Sequence, residues 1–218
     1  MTDTALMDPR SVRSQDALVR ATLHLLAERQ ADAISVTDVV HLAEVSRPTL
    51  YQHFGDLPTL IVAAVTARLQ TLFAASLPNT PVTTAKDDAS GSEAIHDLLQ
   101  HLLDEADVFR HALHGSSGYP VIRQLADLLA RRLQERGPLH EALERGATPK
   151  HLDRFIGHGA VGIVADWLDV PPADRESVDE VTARLTALLH FQLDHSCVTP
   201  TTPDAGICTE HIDTEEEA

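Results

Sequence analysis

Apolar residues recur at helical spacing along most of the chain, and the interruptions mark where one helix stops and the next starts. From about Ser14 to Arg29, Leu18, Ala21, Leu25 and Leu26 form one buried stripe. After a connection at Gln30 to Ala33, Val36, Val39 and Val40 make a second, shorter stripe, which Leu42 and Ala43 continue into a turn at Glu44 and Val45. A third helix carries Leu50 and Phe54 on its apolar back. The punctuation agrees with the stripes. Ser35 with Asp38 three residues on reads as a capping box, Ser46 as an N-cap, and Pro48 falls in a first helical turn, where its missing N–H costs nothing. Asp56 then caps a fourth helix, with Pro58 in its first turn and Leu60, Ile61, Ala64, Val65, Leu69 and Leu72 along it to about Leu77.

The stretch Pro78 to Ser92, rich in Pro, Thr, Asp and Ser, reads as an exposed connection. From Glu93 the helical period returns. Ile95, Leu98, Leu99, Leu102 and Leu103 share a face, and Val108, Phe109, Ala112 and Leu113 follow. Gly115-Ser116-Ser117-Gly118 breaks the pattern, Pro120 opens another helix that ends at Gly137-Pro138, and a short helical piece precedes Gly146. Two last helices run from about Pro149 to Leu168 and from about Pro172 to Asp194. The predicted fold is all-α: a three-helix helix-turn-helix domain over residues 13–56, then a helical domain over 57–195, with a flexible arm at 1–12 and a disordered acidic tail at 196–218.

The front of the third helix is unlike its back. Arg47, Thr49, Gln52 and His53 are polar and face away from Leu50 and Phe54, and Tyr51 lies at the edge. A short capped helix with such a front suits the major groove of DNA. Arg47 can fork onto a guanine edge or bind phosphate, Gln52 can read adenine, and Thr49 can meet a thymine methyl or a phosphate. Tyr51 and His53 suit the sugar–phosphate backbone, and Thr37, near a helix N-terminus, is a further candidate contact. With Pro48 they make the expected DNA-binding set.

Residues from about Ser14 to Leu60 resemble the N-terminal domain of TetR (tetracycline-repressor-like) regulators. The likeness rests on Ala17-Leu18 and Ala21 with Leu25-Leu26, on Ser35-Val36-Thr37-Asp38-Val39, on Ala43-Glu44-Val45-Ser46, and above all on Thr49-Leu50-Tyr51-Gln52-His53-Phe54. Glu44 departs from the family's turn glycine, and Leu57 stands where a phosphate-binding Lys is common. The first departure implies strain in the turn; the second removes one cation. The resemblance implies a homodimer that binds an inverted-repeat operator in double-stranded DNA, more often a repressor, and that responds to an unidentified small-molecule effector.

Charge tempers this reading. The formal net charge is −16, yet Pro9 to Asp56 carries five Arg against six acidic residues, so the DNA end is near neutral and the remainder repels phosphate. Specific binding then depends on a few aimed contacts and on dimerisation. The alternative is a dimer of the same fold that has lost DNA binding and keeps a ligand or protein partner.

Inside the body, Leu102, Phe109, Leu125 and Phe155 are candidates for the effector pocket. The last two helices resemble a dimerising pair, with Gly159, Ile163, Trp167, Leu185 and Leu189 as candidate interface residues and glycines at 157, 159 and 162 permitting close helix approach. No catalytic motif and no cofactor loop is present, so the chain reads as a non-enzyme without a cofactor. His195, Cys197, Cys208 and His211 lack structural zinc spacing, and the Asp97/His101 pair within an acidic, His-rich patch reads first as a solvated helix face, so no metal is assigned. Two Cys, no signal peptide and no apolar run of transmembrane length predict a soluble, cytoplasmic protein that engages no membrane.

Overall fold

The computed structural model describes residues 9–76, 88–135 and 150–195. Among these, nine α-helices and one short 3-10 turn account for the regular structure. They are α1 (Pro9–Glu28), the 3-10 turn Ala31–Ala33, α2 (Val36–Leu42), α3 (Arg47–Phe54), α4 (Leu57–Ser76), α5 (Asp88–Asp104), α6 (Ala106–Leu113), α7 (Gly118–Glu135), α8 (Leu152–Asp169) and α9 (Val178–His195).

The predicted caps are formed. The Ser35 hydroxyl accepts from Asp38 N–H (3.2 Å), and the Asp38 carboxylate accepts from Ser35 N–H (3.0 Å), closing the box at the start of α2. Ser46 Oγ accepts from Thr49 N–H at the start of α3 (3.3 Å), and Asp56 Oδ1 accepts from Thr59 N–H at the start of α4 (2.8 Å).

The turn between α2 and α3 carries the strain that Glu44 implies. Glu44 has φ 55, in the left-handed region. Its N–H donates to His41 O (3.3 Å), and Val45 N–H donates to Val40 O (3.1 Å). This is a Schellman ending built on a residue with a Cβ, which costs about 1–2 kcal/mol that glycine would avoid. Glu44→Gly is therefore expected to raise stability by roughly 0.5–1 kcal/mol after the extra chain entropy of glycine is subtracted. Urea unfolding at neutral pH measures it.

Several boundaries move. Helix α1 already includes Pro9, so Arg10, within the stretch expected to be an arm, lies on its first turn. Helix α5 already begins at Asp88, inside the stretch expected to be a connection. The last helix begins at Val178, because Pro171 and Pro172 enter a turn closed by Asp174 N–H to Pro171 O (3.0 Å), and the Ser177/Glu180 capping box then starts α9. Leu42 does not continue the inward face of α2: it is 45% exposed, since Val39 and Val40 already fill that side. Phe54 is half-buried against the core, where full burial was expected. Residues 1–8, the short helical piece before Gly146 and the acidic tail from 196 lie outside the described residues.

One apolar cluster runs from the N-terminal helices into the body. It joins Leu18, Leu26, Val39 and Leu50 to Leu60, Ile61 and Val65 of α4, and these to Leu99, Phe109, Val121, Leu168 and Val181. Helix α4 is the shared member, packing on α1, α5 and α7. Its contacts with several helices accompany an apolar composition, with a mean hydropathy of 1.5 over an 18-residue window. Helix α4 is long and apolar enough to cross a bilayer by length and composition only, a test that core helices also pass, against the expectation that the chain holds no such run. Helix α7 lies along α8, where Gly157 lets the backbones meet: a Cβ there would come within 2.6 Å of Ala126 O.

Candidate nucleic-acid interface

Helix α3 is held by its back and presents its front. Leu50 is 0% exposed and anchors it against the core. Arg47, Pro48, Tyr51 and Gln52 are exposed, with Tyr51 at 52%, whereas Thr49 and His53 are half-buried. Thr49 Oγ1 is 2.8 Å from Ser46 Oγ, so its hydroxyl is engaged with the cap. Gly55, with φ 78, ends the helix, and its N–H donates to Tyr51 O (3.0 Å).

Arg47 and Thr37 come together although they sit on different helices. Arg47 Nη2 donates to Thr37 Oγ1 at 2.6 Å, and both residues are exposed. Asp38, next to Thr37, is committed elsewhere, to Ser35 and to Arg29 at 3.8 Å. The Ser35 N–H and hydroxyl, with a smaller contribution from Arg29, hold the Asp38 carboxyl below its ordinary range. Among the described residues no carboxylate forms an ion pair with Arg47, which leaves its charge for a phosphate or a base edge. Leu57 is half-buried and packs on the core, so at this position the side chain is spent on packing rather than turned to solvent.

The body candidates divide. Leu102, Phe109 and Leu125 are buried in the shared core. Phe155 is not among them: it is 65% exposed and lines an open depression with His151, Arg154, His158 and Gly159. Leu152 and Ile156 take the inward side of α8, and one residue of helical rotation turns Phe155 out. Two interface candidates are buried within the chain. Trp167 is 3% exposed within the chain itself, and its indole N–H donates to Glu176 O (2.9 Å). Leu185 is buried because Val178, Val181 and Leu185 form the inward stripe of α9, which packs on α5. Ile163 and Leu189 are half-buried within the chain. Gly159 is exposed, and a Cβ at Gly159 or Gly162 would meet nothing within 4 Å.

The Asp97/His101 pair is not assembled as a site. His101 Nδ1 is 3.0 Å from Ser76 Oγ, and Asp97 lies 3.7 Å from His96. No group of three or more potential metal ligands occurs among the described residues, and Cys197, Cys208 and His211 lie outside them.

Two contacts tie the helix-turn-helix end to the body and a third braces α4 within the body, and none is visible as a local pattern. Asp32 receives the Ser116 hydroxyl (2.7 Å) and the Ser116 N–H (3.1 Å), across 84 positions of sequence. His111 Nδ1 lies 2.7 Å from Leu26 O. Arg68 of α4 forms a two-pronged ion pair with Glu105, which stands at the break between α5 and α6. Gly115 makes room for the first contact: its φ is +84, and a Cβ there would lie 2.3 Å from Asp32 Oδ2. The Ser116 hydroxyl, and next its N–H, hold the Asp32 carboxyl below the ordinary range. A lowered carboxylate stabilises the fold above its unfolded pKa and loses that contribution as pH falls through its folded value. Asp32→Ala should therefore destabilise the protein at neutral pH, and the difference from the parent should vanish in acid. Urea unfolding across that pH range measures the trend.

The comparisons with known proteins agree with this geometry. The profile of bacterial regulatory proteins of the tetR family matches residues 18–64, from α1 into α4. Among curated proteins none matches the chain. Among solved structures, the TetR-family repressor AlkX of Dietzia sp. strain DQ12-45-1b, implicated in biodegradation of n-alkanes, is 20% identical, with 87% of this chain and 97% of that one covered at a TM-score of 0.55. RolR in complex with resorcinol is 16% identical over 88% and 96%, also at 0.55. The fatty acid degradation regulator FadR of Bacillus halodurans is 16% identical over 80% and 96%, at 0.50. At these identities the structural likeness is one of fold.

Proposed function

We propose that the chain is a transcriptional regulator of the TetR family, a DNA-binding protein and not an enzyme, as the family match over residues 18–64 supports, and that it is a homodimeric repressor that grips an inverted-repeat operator through α3 and is released by a small molecule. The observation that carries this reading is the capped α3, anchored by a fully buried Leu50, with Arg47, Tyr51 and Gln52 facing out. Arg47 and Gln52 read base edges, with Thr37 beside Arg47, while Tyr51 and the N-terminal turn of α3 at Pro48 and Thr49 lie along the sugar–phosphate backbone beside His53.

Two such heads must be spaced by about one turn of DNA, which requires a dimer. The outer face of α8 supports one, with Gly159 and Gly162 open and Phe155 exposed, and exposed Leu188 on α9 adds apolar surface. The effector belongs in the body, with Leu102, Phe109 and Leu125, which are packed in the shared core, as its candidate contacts. RolR was solved with resorcinol, and an apolar or aromatic effector suits these side chains. Effector binding acts by linkage: it favours a dimer whose two α3 helices no longer match successive major grooves. Such a protein works in the cytoplasm, where its DNA is.

Selection of bound sequences from a random DNA pool, at low and moderate salt, tests this. An inverted repeat among the recovered sequences is the expected result. Recovery of nothing at either salt favours a dimer of the same fold that has lost DNA binding.

A further inference from the structure

We propose that Thr37 is a positioning residue: it holds the Arg47 guanidinium in the orientation in which it reads a base, and does not bind DNA in its own right. The inference rests on the DNA-binding reading above and assigns one residue a part within it. Thr37 is the second residue of α2, and Arg47 is the first residue of α3, so their hydrogen bond bridges the two helices of the motif. At 2.6 Å it is the short contact expected of a charged donor.

Arg47 has few other restraints. Its side chain is exposed, it follows the cap residue Ser46, and among the described residues no carboxylate forms an ion pair with it. An untethered arginine on a helix surface samples many rotamers and loses that freedom on binding. Thr37 removes part of the loss in advance, using one of the five guanidinium donors and leaving enough for a two-pronged contact with a guanine edge. Thr37 is itself kept in place, because the adjacent Asp38 closes the capping box with Ser35 and stays off the arginine.

The roles separate by base specificity. A positioning residue affects the base pair that Arg47 reads; a phosphate contact weakens all sequences alike. The operator recovered by selection, and its set of single base-pair variants, are titrated with the parent full-length protein and with Thr37→Val, Thr37→Ser, Arg47→Ala and the Thr37→Val/Arg47→Ala pair. Thr37→Val keeps the shape without the hydroxyl. It is expected to lower discrimination about tenfold at the same base pair where Arg47→Ala lowers it, within what one bidentate contact supplies. Thr37→Ser should retain discrimination, and the double variant should discriminate no worse than Arg47→Ala. Thermal unfolding checks that each variant folds.

A uniform loss across all variants with a shallower salt dependence would show Thr37 on a phosphate and overturn the inference while leaving DNA binding intact. So would an unchanged profile for Thr37→Val. If the parent selects no sequence at all, the DNA-binding reading fails, and this inference falls with it.

Discussion

The Arg47→Ala/Tyr51→Ala variant is expected to lose specific operator binding while keeping its fold. Arg47 carries the unpaired cation at the front of α3, and Tyr51 is the largest exposed side chain on that helix. A well-placed arginine supplies about 1–3 kcal/mol of base discrimination or charge-assisted phosphate binding. Losing Tyr51 removes a further backbone contact. In the proposed dimer two heads engage two half-sites, so each loss counts twice, and the total reaches about 4 kcal/mol or more, roughly a thousandfold in affinity. With a near-neutral head and a formal net charge of −16 on the chain, no surplus of basic residues replaces the missing contacts.

Stability should hardly move, because neither side chain supports the helix. The anchor Leu50, the Ser46 cap and Pro48 in the first turn all remain. Titration of a labelled operator together with thermal unfolding of both proteins gives the two readings. Normal operator binding by the folded variant would place the DNA contacts elsewhere.

Trp167→Ala should cost the protein more stability than any exposed substitution, about 3–5 kcal/mol on the scale of buried tryptophan truncations. Its ring is buried at the end of α8 and is packed with the shared core. The indole N–H reaches across the loop to Glu176 O at 2.9 Å. The Arg175 guanidinium lies 6.0 Å from the ring centroid and also donates to Val170 O (3.0 Å) and Leu168 O (2.8 Å). Removing the ring opens a cavity, leaves Glu176 O without that donor and loosens the loop that leads into α9.

Urea unfolding over a range of protein concentrations distinguishes this from an interface role. A loss independent of concentration is expected of a residue buried within one chain. A loss that grows on dilution, with the isolated chain as stable as before, would return Trp167 to the dimer interface.

Local chemistry made the N-terminal third legible. Ser35 with Asp38, Ser46 with Pro48, and Asp56 with Pro58 are start signals that act within a turn of chain, and each appears in the structure where the sequence puts it. The apolar period identified Leu18, Leu25, Leu26, Val39, Val40 and Leu50 as core, because burial of one helical face depends on spacing alone. The strain at Glu44 was implied by the family resemblance, because Glu44 stands where the family has its turn glycine, and its φ of 55 agrees.

What the sequence determined by itself is therefore the set of helices, their caps, and a recognition helix with a polar front. The partners were decided only by the tertiary structure. An inward stripe shows that a helix buries one face, but not whether the neighbour belongs to the same chain or to a second copy, so Trp167 and Leu185 read as interface residues and are buried within the chain. Phe155 was placed inward by its type and lies outward by its helical phase. The joints at Asp32–Ser116, Leu26–His111 and Arg68–Glu105 link residues 37 to 85 positions apart, and hydrogen bonds of that reach leave no periodic trace in a sequence. Local steric and capping preferences repeat every few residues and can be read along the chain; docking between helices depends on geometry that exists only once they are packed.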